Sequence, residues 1–329
     1  LSIIDPTLEF IWKQAGSVSE GSKVNAPDEY DVTCNLILLA TCLHPVLLND
    51  GDPTHTYLIQ HGNIPRALQA LFARYPNYEK DLLSFLKSDD LFRRLYGGCQ
   101  NVISFKEFWK MFGNLIRAEV SDITGYRTSI SNLNVVWNGD EYPLQKISID
   151  LVPVMKLPPS DKYCDKYKAL KPDCVVAKKI HRKKQNRFIF RLSYHEQEAN
   201  KMRNMVALGR DSYKMCKTLR HSAICEVLPG APPVSDVITS YMIKNVVFLL
   251  NDEKAFANGN PKDLFVQAEK IYTRLRCFFK DRNLCLFLCP EQHILHDCWI
   301  KEENNMEMFQ NWAVEYCDYI VTRLQQQLR

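Results

Sequence analysis

The chain has 329 residues, of which 46% are hydrophobic and 24% are charged, and its formal net charge is +4. That length and composition predict a folded protein with a sizeable core, divided into two lobes, and they exclude an intrinsically disordered chain. The apolar runs fall short of the ~18–20 residues that span a bilayer, so we expect no membrane-spanning segment.

Sequence patterns in the first half of the chain predict a mixture of strands and helices. Residues 31–39 (DVTCNLILL) form a strand-like run, and their valine, threonine and isoleucine fit that prediction. Residues 64–86 and 105–116 place apolar side chains at helical spacing. A hairpin is predicted next, in which residues 130–137 lead into Asn138-Gly139 and residues 145–154 return.

The composition changes near residues 156–160 (KLPPS), where we expect a domain boundary. Helical patterns dominate beyond it, most clearly in residues 263–279 and 306–328. The sequence therefore predicts an α+β protein. Residues 1–160 would contain a mixed sheet with helices, and residues 161–329 would form a helical lobe.

Positive charge is concentrated in one part of the second half. Residues 161–220 contain 17 Lys and Arg against 6 Asp and Glu. Residues 178–187 alone contain six basic residues and no acid. Such a concentration favours a polyanionic partner, although a solvated charged face explains most runs of this kind.

The twelve cysteines come without a basic-then-apolar leader, which favours reduced thiols in a cytoplasmic protein. Five potential metal ligands cluster late in the chain: Cys285, Cys289, His293, His296 and Cys298. Their spacing matches no closed zinc motif, and apolar residues alternate with them, so we interpret the cluster as core and predict no zinc.

Three acids and a Gly-Ser pair suggest a chemistry. Glu29 and Asp31 are two residues apart on a predicted strand, so their side chains share one face. Asp150 lies on the polar side of the returning hairpin strand and can join them from a neighbouring strand. Nucleotidyl transfer needs carboxylates for Mg²⁺ or Mn²⁺, and Gly16-Ser17 would let the backbone approach a phosphate. Each feature alone is weak, and the ordered combination carries the argument.

Several short segments, taken in order, are similar to one known family. They are residues 16–23 (GSVSEGSK), 27–32 (PDEYDV), 146–150 (KISID), 191–194 (RLSY) and 240–241 (SY) with Lys244. The set resembles cyclic GMP-AMP synthase and the cyclic GMP-AMP synthase-like receptors of animals, which have a Mab-type domain. The resemblance implies a bilobed nucleotidyltransferase fold. It also implies synthesis of a cyclic dinucleotide from ATP and GTP.

The resemblance assigns a role to each matching residue. Glu29, Asp31 and Asp150 would be the catalytic metal ligands. Tyr241 would stack on a base and Arg191 would bind a base edge. The remaining nucleotide contacts would come from Gly16, Ser17, Lys178, Lys217 and Ser240, and nucleic-acid contacts from Lys201, Arg210 and Lys214, with the loop residues Arg182, Lys183 and Lys184.

One departure from the vertebrate enzyme bears on the ligand. Residues 199–211 (ANKMRNMVALGRD) occupy the place of its zinc insertion and contain no Cys or His. The resemblance is therefore to invertebrate receptors, which favours double-stranded RNA over DNA as the activator and leaves a ligand-induced homodimer open. Two alternatives remain: a catalytically silent scaffold or developmental protein of the same family, and an oligoadenylate synthase. The three acids argue against the first, and the segments at 191–193 and 240–241 against the second.

Overall fold

The structure is a computed structural model. It describes residues 10–15, 20–23, 29–36, 43–47, 55–60, 132–137, 145–156, 173–176, 189–221, 228, 230–257, 260, 263–295 and 305–328. The helices predicted at 64–86 and 105–116, and the turn at Asn138-Gly139, lie outside these residues.

The chain divides into two compact units. The first comprises Leu1–Ser19 and Pro27–Gln197, and the second comprises Glu20–Ala26 and Glu198–Arg329. The composition predicted a boundary near residue 160, whereas this division falls between residues 197 and 198. The difference arises because two strands beyond residue 160 pair into the sheet of the first unit, which a change in composition does not reveal.

Within the described residues, the first unit is built on an eight-stranded mixed sheet. The strand bounds are β1 Phe10–Ala15, β2 Glu29–Leu36, β3 Leu43–Leu47, β4 His55–Gln60, β5 Asn132–Trp137, β6 Gln145–Lys156, β7 Cys174–Val176 and β8 Ile189–Ser193. These strands run in the order β1-β2-β6-β7-β8-β4-β3, with β5 also paired to β6. Strands β2 and β6 are parallel, whereas the other pairs are antiparallel.

The predicted hairpin is present in this sheet as the antiparallel pair β5–β6, with Trp137 opposite Gln145. Residues 138–144, which include Asn138-Gly139, lie between the paired ends and outside the described residues. The sequence also places a strand correctly at β2. Val154, Met155 and Leu192 are buried, which fits the apolar character of β6 and β8.

The second unit is helical, with a short hairpin of strands β9 (Cys285–Leu286) and β10 (Cys289–His293). The helices of the described chain are α1 His195–Asn204, α2 Ala207–His221, α3 Val234–Val237, α4 Ser240–Asp252, α5 Leu264–Lys280 and α6 Met306–Leu328. Helix α5 packs against α6 and α2, and Phe248, Tyr272 and Phe279 are fully buried in this unit. Helices α5 and α6 lie where the spacing of apolar residues predicted helices. None of the described helices has both the length and the apolar composition needed to cross a bilayer.

Candidate functional site

The register of β2 against β6 places two of the predicted metal ligands side by side. Asp31 is opposite Asp150, and Glu29 is opposite Ser148. Neighbouring strands lie about 4.8 Å apart, and residues opposite one another project to the same face of a sheet. Asp31 and Asp150 are both half-buried. Asp150 therefore lies on a strand next to Asp31, as the alternation along β6 predicted, while the register that makes the two residues direct neighbours comes from the structure.

Two adjacent carboxylates suit a hard divalent cation. Mg²⁺ is held in proteins by one or two carboxylates and keeps several waters, so the pair fits the donor chemistry of that ion. Glu29 begins β2, two residues before Asp31, but its side chain lies outside the described part of the structure. Within the described residues there is no group of three acidic, histidine or cysteine side chains that could hold a metal ion. Metal binding at Asp31 and Asp150 stays a prediction.

A second group of polar residues is buried in the helical unit around Lys244. Its ammonium nitrogen Nζ lies 3.0 Å from Oε1 of Glu20 and 2.6 Å from Oε2 of Glu198. All three side chains are buried. Burial by itself opposes the charge of Lys244, but attraction to Glu198 and Glu20 outweighs it and raises the lysine pKa well above its ordinary value. Lys244 is therefore a fully charged ammonium held between two carboxylates.

Lys217, which the resemblance assigns to nucleotide phosphate, is buried beside this group. Its ammonium donates a hydrogen bond of 3.1 Å to the backbone carbonyl of Ser22 and lies 5.5 Å from the ring centre of Tyr213. Burial, followed by the positive charge of Arg220, lowers the pKa of Lys217 to about 8. At neutral pH the residue is still charged, but its proton is held less firmly than that of an exposed lysine.

Tyr241 and Ser240, the other predicted nucleotide contacts of this unit, begin helix α4. Thr239 caps that helix by accepting a hydrogen bond from the backbone N–H of Met242. The hydroxyl of Tyr241 donates to Oε1 of Glu198 at 3.3 Å, and its half-buried ring lies 5.5 Å from Nζ of Lys244. The structure thus brings Lys217, Ser240 and Tyr241 to one part of the helical unit.

Two of the predicted nucleic-acid contacts are engaged within the protein. Lys201 on α1 donates to Oδ1 of Asp252 at 2.6 Å, and its ammonium also lies 5.0 Å from the ring centre of Phe287. Arg210 donates from Nη1 to the carbonyl of Arg203 at 3.0 Å and also to the carbonyl of Met205. These bonds satisfy carbonyl groups at the end of α1.

Lys214 differs from these two residues. It lies on α2, half-buried, and its ammonium makes no ion pair with any described residue. Of the three helical residues proposed to contact nucleic acid, Lys214 is the one whose side chain has no hydrogen-bond or ion-pair partner among the described residues.

The remaining predicted contacts have less structural description. Arg191 lies in β8 opposite His55 of β4, and its side chain is outside the described part of the structure. The other predicted residues lie wholly outside it: Gly16, Ser17, Lys178, Arg182, Lys183 and Lys184.

The late cysteine and histidine cluster is only partly described. Cys285 and His293 are paired across β9 and β10, and the cysteine sulfur lies 3.7 Å from Nδ1 of the histidine. The neighbouring apolar residues Leu286 and Ile294 are buried, as the core interpretation predicted. Cys285 itself is half-buried and His293 is exposed.

The sequence interpretation missed the buried acids that surround Lys244. Lys244 stands inside the apolar run of α4, and Glu198 stands beside Ala199, with Met202 one turn further on the same face. A charged residue inside an apolar stripe requires a charged partner because an unpaired buried charge is costly. That signal was present for both residues, but the sequence does not show that Glu20, 224 residues from Lys244, joins them.

Comparison of the sequence with protein-family models gave no match, and comparison with curated proteins gave none either. The functional argument therefore depends on the residues themselves.

Proposed function

We propose that this chain is a nucleotidyltransferase of bilobed fold that joins ATP and GTP into a cyclic dinucleotide when it is bound to double-stranded RNA. The observation that best supports the proposal is the register that sets Asp31 directly opposite Asp150 on parallel strands, with Glu29 preceding on the same strand. Such a set supplies hard oxygen ligands from two neighbouring strands, and β2 carries two of the three acids.

The proposed reaction divides into bond making and charge neutralisation. A ribose hydroxyl attacks the α-phosphorus of a second nucleotide, a new phosphodiester bond forms, and pyrophosphate leaves. Mg²⁺ or Mn²⁺ bound by the three acids would neutralise charge on the attacking and leaving oxygens. Asp150 would accept the hydroxyl proton as general base. A second transfer within the linear intermediate closes the ring.

Contacts to the nucleotides come from the other proposed residues. Ser17 and Lys217 would bind phosphate oxygens, Tyr241 would stack on a base and Arg191 would bind a base edge. The Lys217 ammonium donates one of its three N–H groups to the carbonyl of Ser22, and a phosphate would accept from one of the others. Tyr241 is half-buried, so part of the residue is exposed to solvent.

The described contacts rank the proposed RNA ligands. Lys201 and Arg210 have internal partners, so each would lose hydrogen bonds on turning to a phosphate. Lys214 keeps an ammonium without an ion pair among the described residues. We therefore assign the larger share of the phosphate contacts to Lys214 and to the basic loop at residues 178–187. Such contacts read the backbone and shape of an A-form duplex and not its sequence.

Turnover of labelled ATP and GTP tests the proposal. The protein is incubated with Mg²⁺ or Mn²⁺ and either no ligand, duplex RNA or duplex DNA. Asp31→Asn removes a proposed metal ligand, and Asp211→Asn removes one exposed carboxylate on α2 as a matched control. A cyclic product that requires duplex RNA and disappears only in Asp31→Asn is the expected result. Absence of product from protein that binds the duplex would favour the catalytically silent scaffold.

A further inference from the structure

We propose that Cys285 and His293 form a reactive thiol–imidazole pair, at which a small disulfide compound forms a mixed disulfide with the protein. The pair lies on the short hairpin of the helical unit and uses none of the residues of the proposed nucleotidyl transfer. The proposal therefore stands whether or not the protein makes a cyclic dinucleotide.

The backbone of the hairpin sets the two residues opposite one another. Cys289 is opposite Leu286. The register then shifts, and His293 is opposite Cys285. In an uninterrupted antiparallel register Pro290 would be opposite Cys285 instead. Irregularities of this kind re-aim side chains and occur often beside functional sites. The shift therefore places an imidazole, and not a proline, across from the thiol.

The contact between the two side chains allows a proton to pass from sulfur to nitrogen. The sulfur of Cys285 lies 3.7 Å from Nδ1 of His293, within hydrogen-bonding range for sulfur. Transfer of the thiol proton to Nδ1 gives a thiolate beside an imidazolium, and the attraction between these opposite charges favours that form. The thiolate is the nucleophilic form of cysteine. His293 is therefore the base that activates Cys285.

Asn283 competes with His293 for the thiol proton. The thiol donates to Oδ1 of Asn283 at 3.2 Å and lies 3.6 Å from the backbone carbonyl oxygen of the same residue. Both oxygens are acceptors, so they favour the neutral thiol. Because the thiol has a single proton, it donates that proton to Asn283 or transfers it to His293. Loss of the Asn283 side chain should therefore raise the reactivity of Cys285.

Access to solvent distinguishes Cys285 from the other described cysteines. The sulfur of Cys174 also lies near an imidazole, 3.9 Å from Nδ1 of His195, but Cys174 is buried. Cys277 on α5 is exposed and makes no hydrogen bond to a histidine of the described chain. Cys285 is half-buried and His293 is exposed, so a small reagent can reach the sulfur. Of the described cysteines, Cys285 alone combines an imidazole partner with access.

The reaction is thiol–disulfide exchange. The Cys285 thiolate attacks one sulfur of a disulfide such as oxidised glutathione, a new sulfur–sulfur bond forms and the original one breaks. The Cys285 sulfur is oxidised, and the departing sulfur is reduced and leaves as a thiolate that takes the proton held by His293. The protein gains a mixed disulfide, and one equivalent of free thiol is released.

Cys285 and His293 are also potential ligands for a thiophilic metal ion, but the described residues supply too few ligands for one. Zinc sites in proteins use three or four protein ligands. Within the described part of the chain, no third acid, histidine or cysteine completes such a group. The observations therefore favour thiol chemistry, and the experiment includes zinc as a competing explanation.

Peptide-resolved mass spectrometry of the reduced protein tests the proposal. Wild type, His293→Gln and Asn283→Ala are treated with oxidised glutathione at about pH 7.5, and the mixed disulfides at Cys285 and Cys277 are followed in time. At this pH an ordinary thiol is about 10% thiolate, so full ionisation speeds the reaction by at most about tenfold. Because a stabilised thiolate is less nucleophilic, we expect Cys285 of wild type to react about fivefold faster than Cys277.

His293→Gln should slow Cys285 to the rate of Cys277, and Asn283→Ala should leave it at least as fast as in wild type. An unchanged rate at Cys277 reports that each variant keeps its fold. Neutral iodoacetamide should give the same order of rates, because it measures nucleophilicity without any binding of glutathione.

Three results would overturn the proposal. The first is a rate at Cys285 of wild type no higher than the rate at Cys277. The second is an equal rate at Cys285 in wild type and His293→Gln. The third is protection of Cys285 by one equivalent of Zn²⁺ that disappears in His293→Gln, because it would assign the pair to a metal ion.

Discussion

The facing pair of Asp31 and Asp150 makes a specific prediction about charge and stability. Without a cation, two ionised carboxylates on adjacent strands repel one another. Replacing either by asparagine should therefore remove this repulsion in EDTA, and a double-mutant cycle separates that gain from the other interactions that each carboxylate makes. A residue that stabilises the sheet by packing or hydrogen bonding alone would show the opposite effect.

The magnitude follows from the strand spacing. At about 5 Å, two unit charges repel by about 3 kcal/mol at an effective dielectric constant of 20 and by about 1 kcal/mol in water. Both aspartates are half-buried, so screening places the value near the lower figure. About 1 kcal/mol corresponds to a rise of about 2–4 °C in Tm.

A double-mutant cycle isolates this coupling from the other interactions of each carboxylate. Thermal unfolding is measured for wild type, Asp31→Asn, Asp150→Asn and the double variant, with Asp211→Asn as the surface-charge control. In EDTA the stabilities of the two single variants and the double variant should depart from additivity by about 1 kcal/mol, in the sense of a repulsion between the two carboxylates. At a Mn²⁺ concentration ten times its Kd, wild type should gain about 1.4 kcal/mol and each variant should gain little.

Two results would refute the reasoning. One is a coupling energy near zero in EDTA, which would mean that the two carboxylates do not share a face. The other is an equal response to Mn²⁺ in wild type and in both single variants, which would mean that the pair holds no cation.

Further predictions concern the lysines of the helical unit. Lys244→Met leaves two buried carboxylates without their cation and should cost about 3–5 kcal/mol of unfolding free energy, measured by urea denaturation; a loss below 1 kcal/mol would contradict the buried ion pair. Because the pKa of Lys217 is lowered from 10.5 to about 8, the folded state loses its proton first. Wild-type stability relative to Lys217→Met should therefore be flat below pH 8 and rise between pH 8 and 10.5, and a flat difference throughout would show that burial does not perturb this lysine. Lys214→Ala should reduce the slope of log K against log salt for duplex RNA by about 0.9, whereas Lys201→Ala should leave it unchanged; equal slopes in both would remove the ranking of these contacts.

The fold could be predicted where the pattern is local. Strand-forming residues place β2, alternation places β6, and helical spacing places α5 and α6, because each of these signals is carried by residues close together in the chain. The register of β2 against β6 was predictable in part, since alternation gives the face of Asp150 but not its neighbour. The domain division could not be predicted, because strands β7 and β8 join the first sheet across a change in composition.

The limits of sequence interpretation are clearest at the lysines. Composition treats Lys201, Lys214 and Lys217 alike, as parts of one basic run. In the structure, the first pairs with an acid 51 residues away, the third is buried against a carbonyl 195 residues away, and Lys214 alone of the three has no described ion pair or side-chain hydrogen bond. Partners so distant in sequence leave no periodic signal.

The same reasoning changes how the basic run supports a polyanionic partner. A net charge counts every ammonium group. A phosphate, however, binds favourably only to those lysines whose interaction with phosphate is stronger than the interactions that they must give up within the protein. Lys244 is excluded because two buried carboxylates hold it, and Lys201 is disfavoured by its carboxylate and aromatic contacts. Among the lysines of the described helices in the basic run, Lys214 is therefore the best candidate for a phosphate contact. It lies on α2, the same helix that carries Lys217. If RNA binds α2 through Lys214, the same helix contacts the RNA backbone and, through Lys217, the carbonyl of Ser22. Helix α2 would then support both the duplex and the segment that contains Ser22.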